Sequence, residues 1–406
     1  MMPSQPTHMR RALFSLGLLF PLVCLCASNL RAAQLRLTPG LIVEERYNDN
    51  IYFDTDSDYN IDDSITLISP ELMLSSKTER LDAYLLGRLT SVLYRQEHDL
   101  NATDQNHSGR ISYRLTEHWK GTLDGGYRRD SQPDRDIDVS GLVLGTDKRA
   151  RTHYGVSSDY TFTEKLTSSI SYTYDKDDFD EERSDRIDST AQNASLLLSH
   201  DMSTYIPKTV GRLIIGYERY DYPDEKIVTC SAGVGEQINL SEVFYLLADI
   251  GRYYSRSRFE IDLPYFSLDF TDRTRGNKGR MVLGYKGERT TIDLGLSHEI
   301  RSLSGRVGAV RRTSYKLNAG HRLNANLWGG LTAEFYTNKA NAGQLSINDI
   351  NESTLSLQPR LRYIFTEDLS LEAAYRFTQT TDREDDETAR QSLYSLRAVW
   401  RYPLPR

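Results

Sequence analysis

Arginines are the residues in this 406-residue chain with the clearest chemistry to offer. Arg360 and Arg362 stand two apart in Leu357-Gln-Pro-Arg-Leu-Arg-Tyr363, so an extended segment would turn both to one face, away from the leucines. Arg88, Arg110, Arg114, Arg376 and Arg397 recur in similar alternating settings. Seven guanidinium groups turned toward one interior would attract and guide an anion, such as an acidic polysaccharide, and they are the candidate substrate-binding set. The same face is expected to carry Arg36, Arg46, Lys120, Arg128, Arg212, Arg280, Lys286 and Arg401. Against these fifteen cations stand eleven acids: Glu44, Glu71, Asp82, Asp124, Asp159, Glu218, Asp249, Asp293, Glu299, Glu334 and Glu372. Such a mixed face reads first as a lattice of cross-strand ion pairs, with a modest anion preference as the functional reading beside it. Tyr84 and Trp328 join the same face, either to stack on sugar rings or to fill space.

Catalysis is not expected. Histidines at 98, 107, 118, 153, 200, 298 and 321 are scattered, and no metalloprotease His pair, nucleophile elbow or phosphate loop is present. A site assembled from separate strands would leave no linear motif, so an outer-membrane hydrolase trails as the third reading. Asp54, Asp56 and Asp58 have the spacing of the first ligands of a calcium loop, but the central Gly and final Glu are missing. No metal or cofactor is expected. The net charge of −7 argues against nucleic acid.

The elements that would position the arginines are strands. In the last one Tyr394, Leu396, Ala398, Trp400, Tyr402 and Leu404 share one face, with Ser395, Arg397 and Arg401 on the other. A turn motif recurs: Tyr113-Arg-Leu-Thr-Glu-His-Trp119, Tyr160-Thr-Phe-Thr-Glu-Lys-Leu166, Tyr363-Ile-Phe-Thr-Glu-Asp-Leu369 and, more loosely, His321-Arg-Leu-Asn-Ala-Asn-Leu327. With turns near 78, 204, 240 and 288 there are eight, spaced one hairpin apart. Longer acidic segments lie between them, at 49–63, 97–104, 129–149, 175–188, 254–274, 338–349 and 379–389, with shorter ones near 222 and 304. Tight turns alternating with long loops, and strands half apolar and half polar, predict an all-β protein. The expected architecture is a transmembrane antiparallel up-and-down barrel of about 18 strands, with 16 as the alternative. Such a barrel must close, because no backbone group can go unpaired in lipid. Tyr113, Trp119, Tyr160, Phe162, Tyr363 and Phe365 should form the periplasmic aromatic girdle. Tyr127, Tyr174, Tyr217 and Tyr375 should form the outer one. A soluble propeller or solenoid is the competing architecture. Segment 254–274 is expected to continue its strands beyond the membrane with a bend near Pro264, or else to fold inward as a constriction.

Arg10 and Arg11 precede an uncharged run from Ala12 to Ala27, followed by small residues. Residues 1–33 are therefore expected to be a signal peptide, cleaved between 28 and 33, with 34–406 a single outer-membrane domain. Cys24 and Cys26 would leave with it, so Cys230 would be the one remaining thiol. The 38% hydrophobic content is too low for a bundle of membrane helices.

The opening hairpin reads Pro39-Gly-Leu-Ile-Val-Glu-Glu-Arg-Tyr-Asn-Asp-Asn-Ile-Tyr52, then acids, then Asp63-Ser-Ile-Thr-Leu-Ile-Ser-Pro-Glu-Leu72. It resembles the start of the beta-barrel porin 2 family and of related barrels encoded beside exopolysaccharide biosynthesis loci in Gram-negative bacteria. The resemblance covers about 30 residues, carried by Tyr-Asn-Asp-Asn-Ile and Ile-Ser-Pro-Glu-Leu. It implies the outer membrane of a Gram-negative bacterium and a porin-like role in exporting exopolysaccharide or in a related envelope pathway. It supplies no catalytic residues. Expected partners are outer-membrane lipid and lipopolysaccharide, whose phosphates divalent ions could bridge to the acidic loops, together with polysaccharide or polysaccharide-export proteins. A docking barrel without an open pore is the alternative.

Overall fold

The computed structural model describes residues 34–56, 58, 60–132, 148–180, 187–263, 266–302, 308–346 and 349–404. The expected signal peptide, residues 1–33, lies outside them, as does Pro264. Eighteen strands run in chain order: β1 (Gln34–Asn48), β2 (Asp63–Lys77), β3 (Leu81–Tyr94), β4 (Ala102–Arg114), β5 (Trp119–Asp130) and β6 (Arg149–Thr163). Next come β7 (Leu166–Phe179), β8 (Ser189–Asp201), β9 (Thr209–Asp221), β10 (Glu225–Asn239), β11 (Phe244–Leu263) and β12 (Phe266–Lys286). The last six are β13 (Thr290–Ser302), β14 (Ala309–Arg322), β15 (Leu327–Ala340), β16 (Ile350–Ile364), β17 (Leu369–Asp382) and β18 (Glu387–Arg401). Each pairs antiparallel with its chain neighbours, and β1 pairs with β18, so the sheet closes on itself as expected.

All eight expected tight turns are present, and their repeated sequence has a physical cause. A side-chain oxygen three residues before the next strand accepts that strand's first backbone N–H, as Ser, Thr and Asn readily do. Thr78 takes the amide of Leu81, Thr163 that of Leu166, Ser241 that of Phe244, Asn324 that of Leu327 and Thr366 that of Leu369.

Side-chain period fixes the two surfaces. Leu41, Val43, Tyr154, Ile170, Val234, Ile250, Leu294 and Leu396 are exposed on the outer wall. The expected girdle residues Tyr113, Trp119, Tyr160, Phe162, Tyr363 and Phe365 are exposed beside the tight turns. In a closed sheet this apolar outside can meet only lipid. About ten tilted residues cross a bilayer, so strands of 13 to 15 residues project past it at the loop end. β11 and β12 go furthest, staying paired down to Leu263 and Phe266, so segment 254–274 extends outward as one hairpin.

Candidate functional site: the barrel lumen

The pairing register carries one face around the barrel. Glu44 stands opposite Arg397, Arg397 opposite Glu372, Glu372 opposite Arg362, and Arg362 opposite Trp328. This face looks inward: Arg46 of β1 donates across the interior to Oε1 of Gln132, beyond β5, at 2.8 Å. By the same register all fifteen expected cations and all eleven expected acids share the lumen face, with Tyr84 and Trp328. A one-residue slip would put each in lipid, so the alternation is strongly constrained.

Along the barrel axis the lumen has three zones. A lattice of ion pairs runs from the middle toward the loop end. Glu44 accepts from Arg46 at 2.7 Å and from Arg397 at 2.8 Å, and Arg397 also reaches Glu372 at 3.7 Å. Glu71 bridges Arg88 and Arg401. Asp130 bridges Arg128 and the fully buried Arg149, and Asp177 holds Arg151. His153 sits between Asp124 and Asp175, at 2.8 and 2.7 Å. A polar cavity of about 370 Å³ lies among Arg46, Arg88, Arg128, Glu372, Arg397 and Arg401.

Near the tight turns the balance changes. Arg36, Arg110, Arg114, Lys120, Lys286, Arg360 and Arg362 form no ion pair with a carboxylate among the described residues. Arg114 and Lys120 are direct cross-strand partners of like charge. Arg362 donates to the Ser370 hydroxyl at 3.2 Å, and Arg360 lies over Gly330. Arg110 stands opposite Asp124, whose Oδ2 is engaged by His153. Against these seven cations only Asp82, Asp159 and Asp293 of the expected acids lack a basic partner there. Asp159 accepts from Ser169 and Asp293 from Tyr245.

At the loop end apolar clusters join the buried polar groups. Tyr220, Tyr222, Ile227, Tyr253, Ile300, Val310, Leu345 and Ile350 form one buried cluster. β12 pairs with β13 only from Gly279 to Lys286, so the β13–β14 tip is free to lean inward. Tyr222 then reaches it, its hydroxyl 2.7 Å from both the Ser302 hydroxyl and the Gly308 carbonyl. Gly308 has φ +102°, and a Cβ there would meet the Leu345 carbonyl at 2.8 Å. A second cluster joins Ile51 to Ile65, Leu67, Val92 and Tyr94. Beside it Tyr52 bonds Glu97, and burial with that bond pushes its phenol up to about 12. Asp54 and Asp56 spend their carboxylates on the backbone amides of Asp56 and Asp58, and no metal-holding cluster occurs among the described residues.

Of the seven candidate residues, Arg88 and Arg397 are thus in ion pairs. Arg110, Arg114, Arg360 and Arg362 lie in the turn-end ring, and Arg376 stands on the lumen face higher in β17. Sequence reasoning missed His153, Arg149 and Arg312, whose guanidinium stacks 4.2 Å over Tyr336 and bonds Asn338. Their alternation in β6 and β14 was a usable signal; their partners were not.

The motif Tyr47-Asn-Asp-Asn-Ile51 also has a structural role. Asn50 donates to the carbonyls of Asp54 and Arg390, its own carbonyl accepts from Gln391, and Asp49 accepts from the Ser392 amide. The motif joins the first strand to the last, as does Glu71 through Arg401.

No family model matches the chain, and no curated protein matches it. Solved structures are similar in shape. The unliganded ferric citrate transporter FecA has a TM-score of 0.50 at 11% identity, with 85% of this chain covering 60% of that one. OccAB4 of Acinetobacter baumannii has 0.48 at 11%, covering 91% and 98%. OpdK of Pseudomonas aeruginosa, solved with vanillate, has 0.47 at 11%, covering 91% and 99%. At such identity the likeness speaks to fold alone. The closed sheet, even strand number, apolar belt, girdles, short turns and long loops make this an outer-membrane β-barrel of the Gram-negative type.

Proposed function

We propose that the barrel is a porin-like channel for anionic solutes, and that it serves the export of an acidic polysaccharide or a related envelope pathway. The observation that carries this reading is the set of cations without a direct ion pair toward the tight-turn end, the periplasmic end in such barrels. Arg110, Arg114, Arg360 and Arg362 concentrate anions at the mouth an exported polymer would enter. Higher up, cations and acids pair, so a polymer would meet alternating charges there, and polysaccharide-export proteins would be the natural partners at the periplasmic rim.

Reversal potentials in planar bilayers under a salt gradient test this. The wild type should prefer anions, and the fourfold Arg110→Gln, Arg114→Gln, Arg360→Gln and Arg362→Gln variant should lose that preference. Cation selectivity in the wild type would refute it. A docking barrel without an open pore is the second reading, favoured by the apolar cluster around Tyr222 and Leu345. Absence of current from a folded barrel would select it.

A further inference from the structure

The outer wall of β9–β12 carries charge that a lumen has no use for. On its lipid side Arg252 stands opposite Asn277, Tyr254 opposite Arg275, and Arg256 opposite Arg273. All four arginines are exposed, and none forms an ion pair with a carboxylate among the described residues. Neighbouring cations on the same wall do: Arg258 pairs with Asp269 at 3.0 Å and Arg219 with Asp221 at 2.8 Å. Like charges directly opposite across two strands, roughly 5 Å apart at Cβ, destabilise a sheet unless something neutralises them.

The position of the four is specific. Beneath them the wall is apolar, with Ile250 and Met281 exposed to lipid. They stand level with Tyr217 and Tyr254, on the loop side of the apolar band. A groove of about 850 Å³ runs along this wall, floored by the small outward residues Cys230 and Ala232, flanked by Ile215 and Tyr217, and rimmed by Arg252 and Arg275. Arg275 lies 5.7 Å from the Tyr254 ring centroid. Cations above an apolar groove, at the height of the outer headgroups, match a molecule with phosphate at one end and acyl chains at the other.

We propose that this wall binds a phosphorylated, multiply acylated lipid of the outer leaflet. Its phosphates accept charge-assisted hydrogen bonds from Arg252, Arg256, Arg273 and Arg275, and an acyl chain lies in the groove against Cys230 and Ala232. The site is independent of whether the lumen conducts.

The test uses the full barrel in detergent, titrated by native mass spectrometry with bis-phosphorylated lipid A, with its dephosphorylated form and with inorganic phosphate. The wild type should retain the phosphorylated lipid at least tenfold more tightly than the dephosphorylated one. The variant R252Q/R256Q/R273Q/R275Q should lose that preference while keeping its heat-modifiable gel shift, which reports the folded barrel. Should that variant not fold, R256Q/R273Q alone should weaken lipid A binding at least threefold. Equal binding of the two lipids by the wild type, or unchanged binding by a folded variant, overturns the proposal. Inorganic phosphate bound as tightly as lipid A also overturns it, making the cluster a site for free anions.

Discussion

Glu225 is expected to make the mouth of the barrel sensitive to pH. It opens β10 at the loop end, beyond the roughly ten residues that cross the bilayer, and its side chain turns inward opposite Phe259. It is 1% exposed, and neither carboxylate oxygen has a hydrogen-bond partner. Burial raises its carboxyl from 4.5 to about 8. Below pH 4.5 the group is protonated whether the mouth is closed or open, so the closed form keeps its full stability. As pH rises from there toward 8, only the opened form ionises, and each unit favours opening tenfold, about 1.4 kcal/mol. Over the whole interval the loss approaches about 5 kcal/mol, comparable to the stability of a small domain and an upper bound if the strand end loosens earlier. Hydrogen exchange on a peptide covering 220–228, corrected for intrinsic rates, measures this, because the Tyr222 amide bonds the Glu225 carbonyl at 2.8 Å. Between pH 6 and 8 the wild-type protection should fall about 50-fold. Glu225→Gln should hold a constant protection, because an amide does not titrate. Parallel profiles for the two proteins would refute the assignment.

Other perturbations probe separate layers of the fold. Tyr222→Phe deletes both hydrogen bonds to the β13–β14 tip and should raise single-channel conductance, at a cost of about 1–3 kcal/mol in local stability by hydrogen exchange at 308–312. Gly251 faces Gly233 across β10 and β11, and a Cβ there would meet the Ala232 carbonyl at 2.5 Å. Gly251→Val should therefore destabilise the barrel by about 1–3 kcal/mol in urea titrations in lipid vesicles. Cys230 faces outward at the level of Tyr217 and Tyr254, so in vesicles a lipophilic maleimide should label it faster than a charged, water-soluble one.

The strands and their inward faces were legible because period two leaves little choice. Arg360 and Arg362 cannot both avoid lipid unless the intervening leucine faces it, and the same holds for Arg110 beside Ile111. The turns were legible because Thr78, Thr163 and Thr366 each sit three residues before the next strand. Which cations would lie unpaired was not legible. That depends on register between strands far apart in sequence: Glu44 takes Arg397 from the other end of the chain, and Glu71 takes Arg401. The apolar mouth was hidden for a related reason. Ile227, Val92 and Val310 stand where the alternation still runs, but the loops that cover them, bearing Leu345 and Ile51, read as polar and acidic.

The joint between Asn50 and β18 also sets an order of events. Asn50 and Glu71 arise early in synthesis, and each is buried against partners at 390–391 and 401 that are made last. Until those residues arrive, the Asn50 side chain keeps only its bonds to Asp54 and Glu71 only its bonds to Arg88, and burying them with part of their bonding unmet is costly. A chain cut short before β18 could pair every other strand and still leave Asn50 and Glu71 short of their partners at the seam. The seam therefore rewards closure of β1 on β18 beyond the backbone ladder alone, because side chains from the two ends of the chain complete one another there.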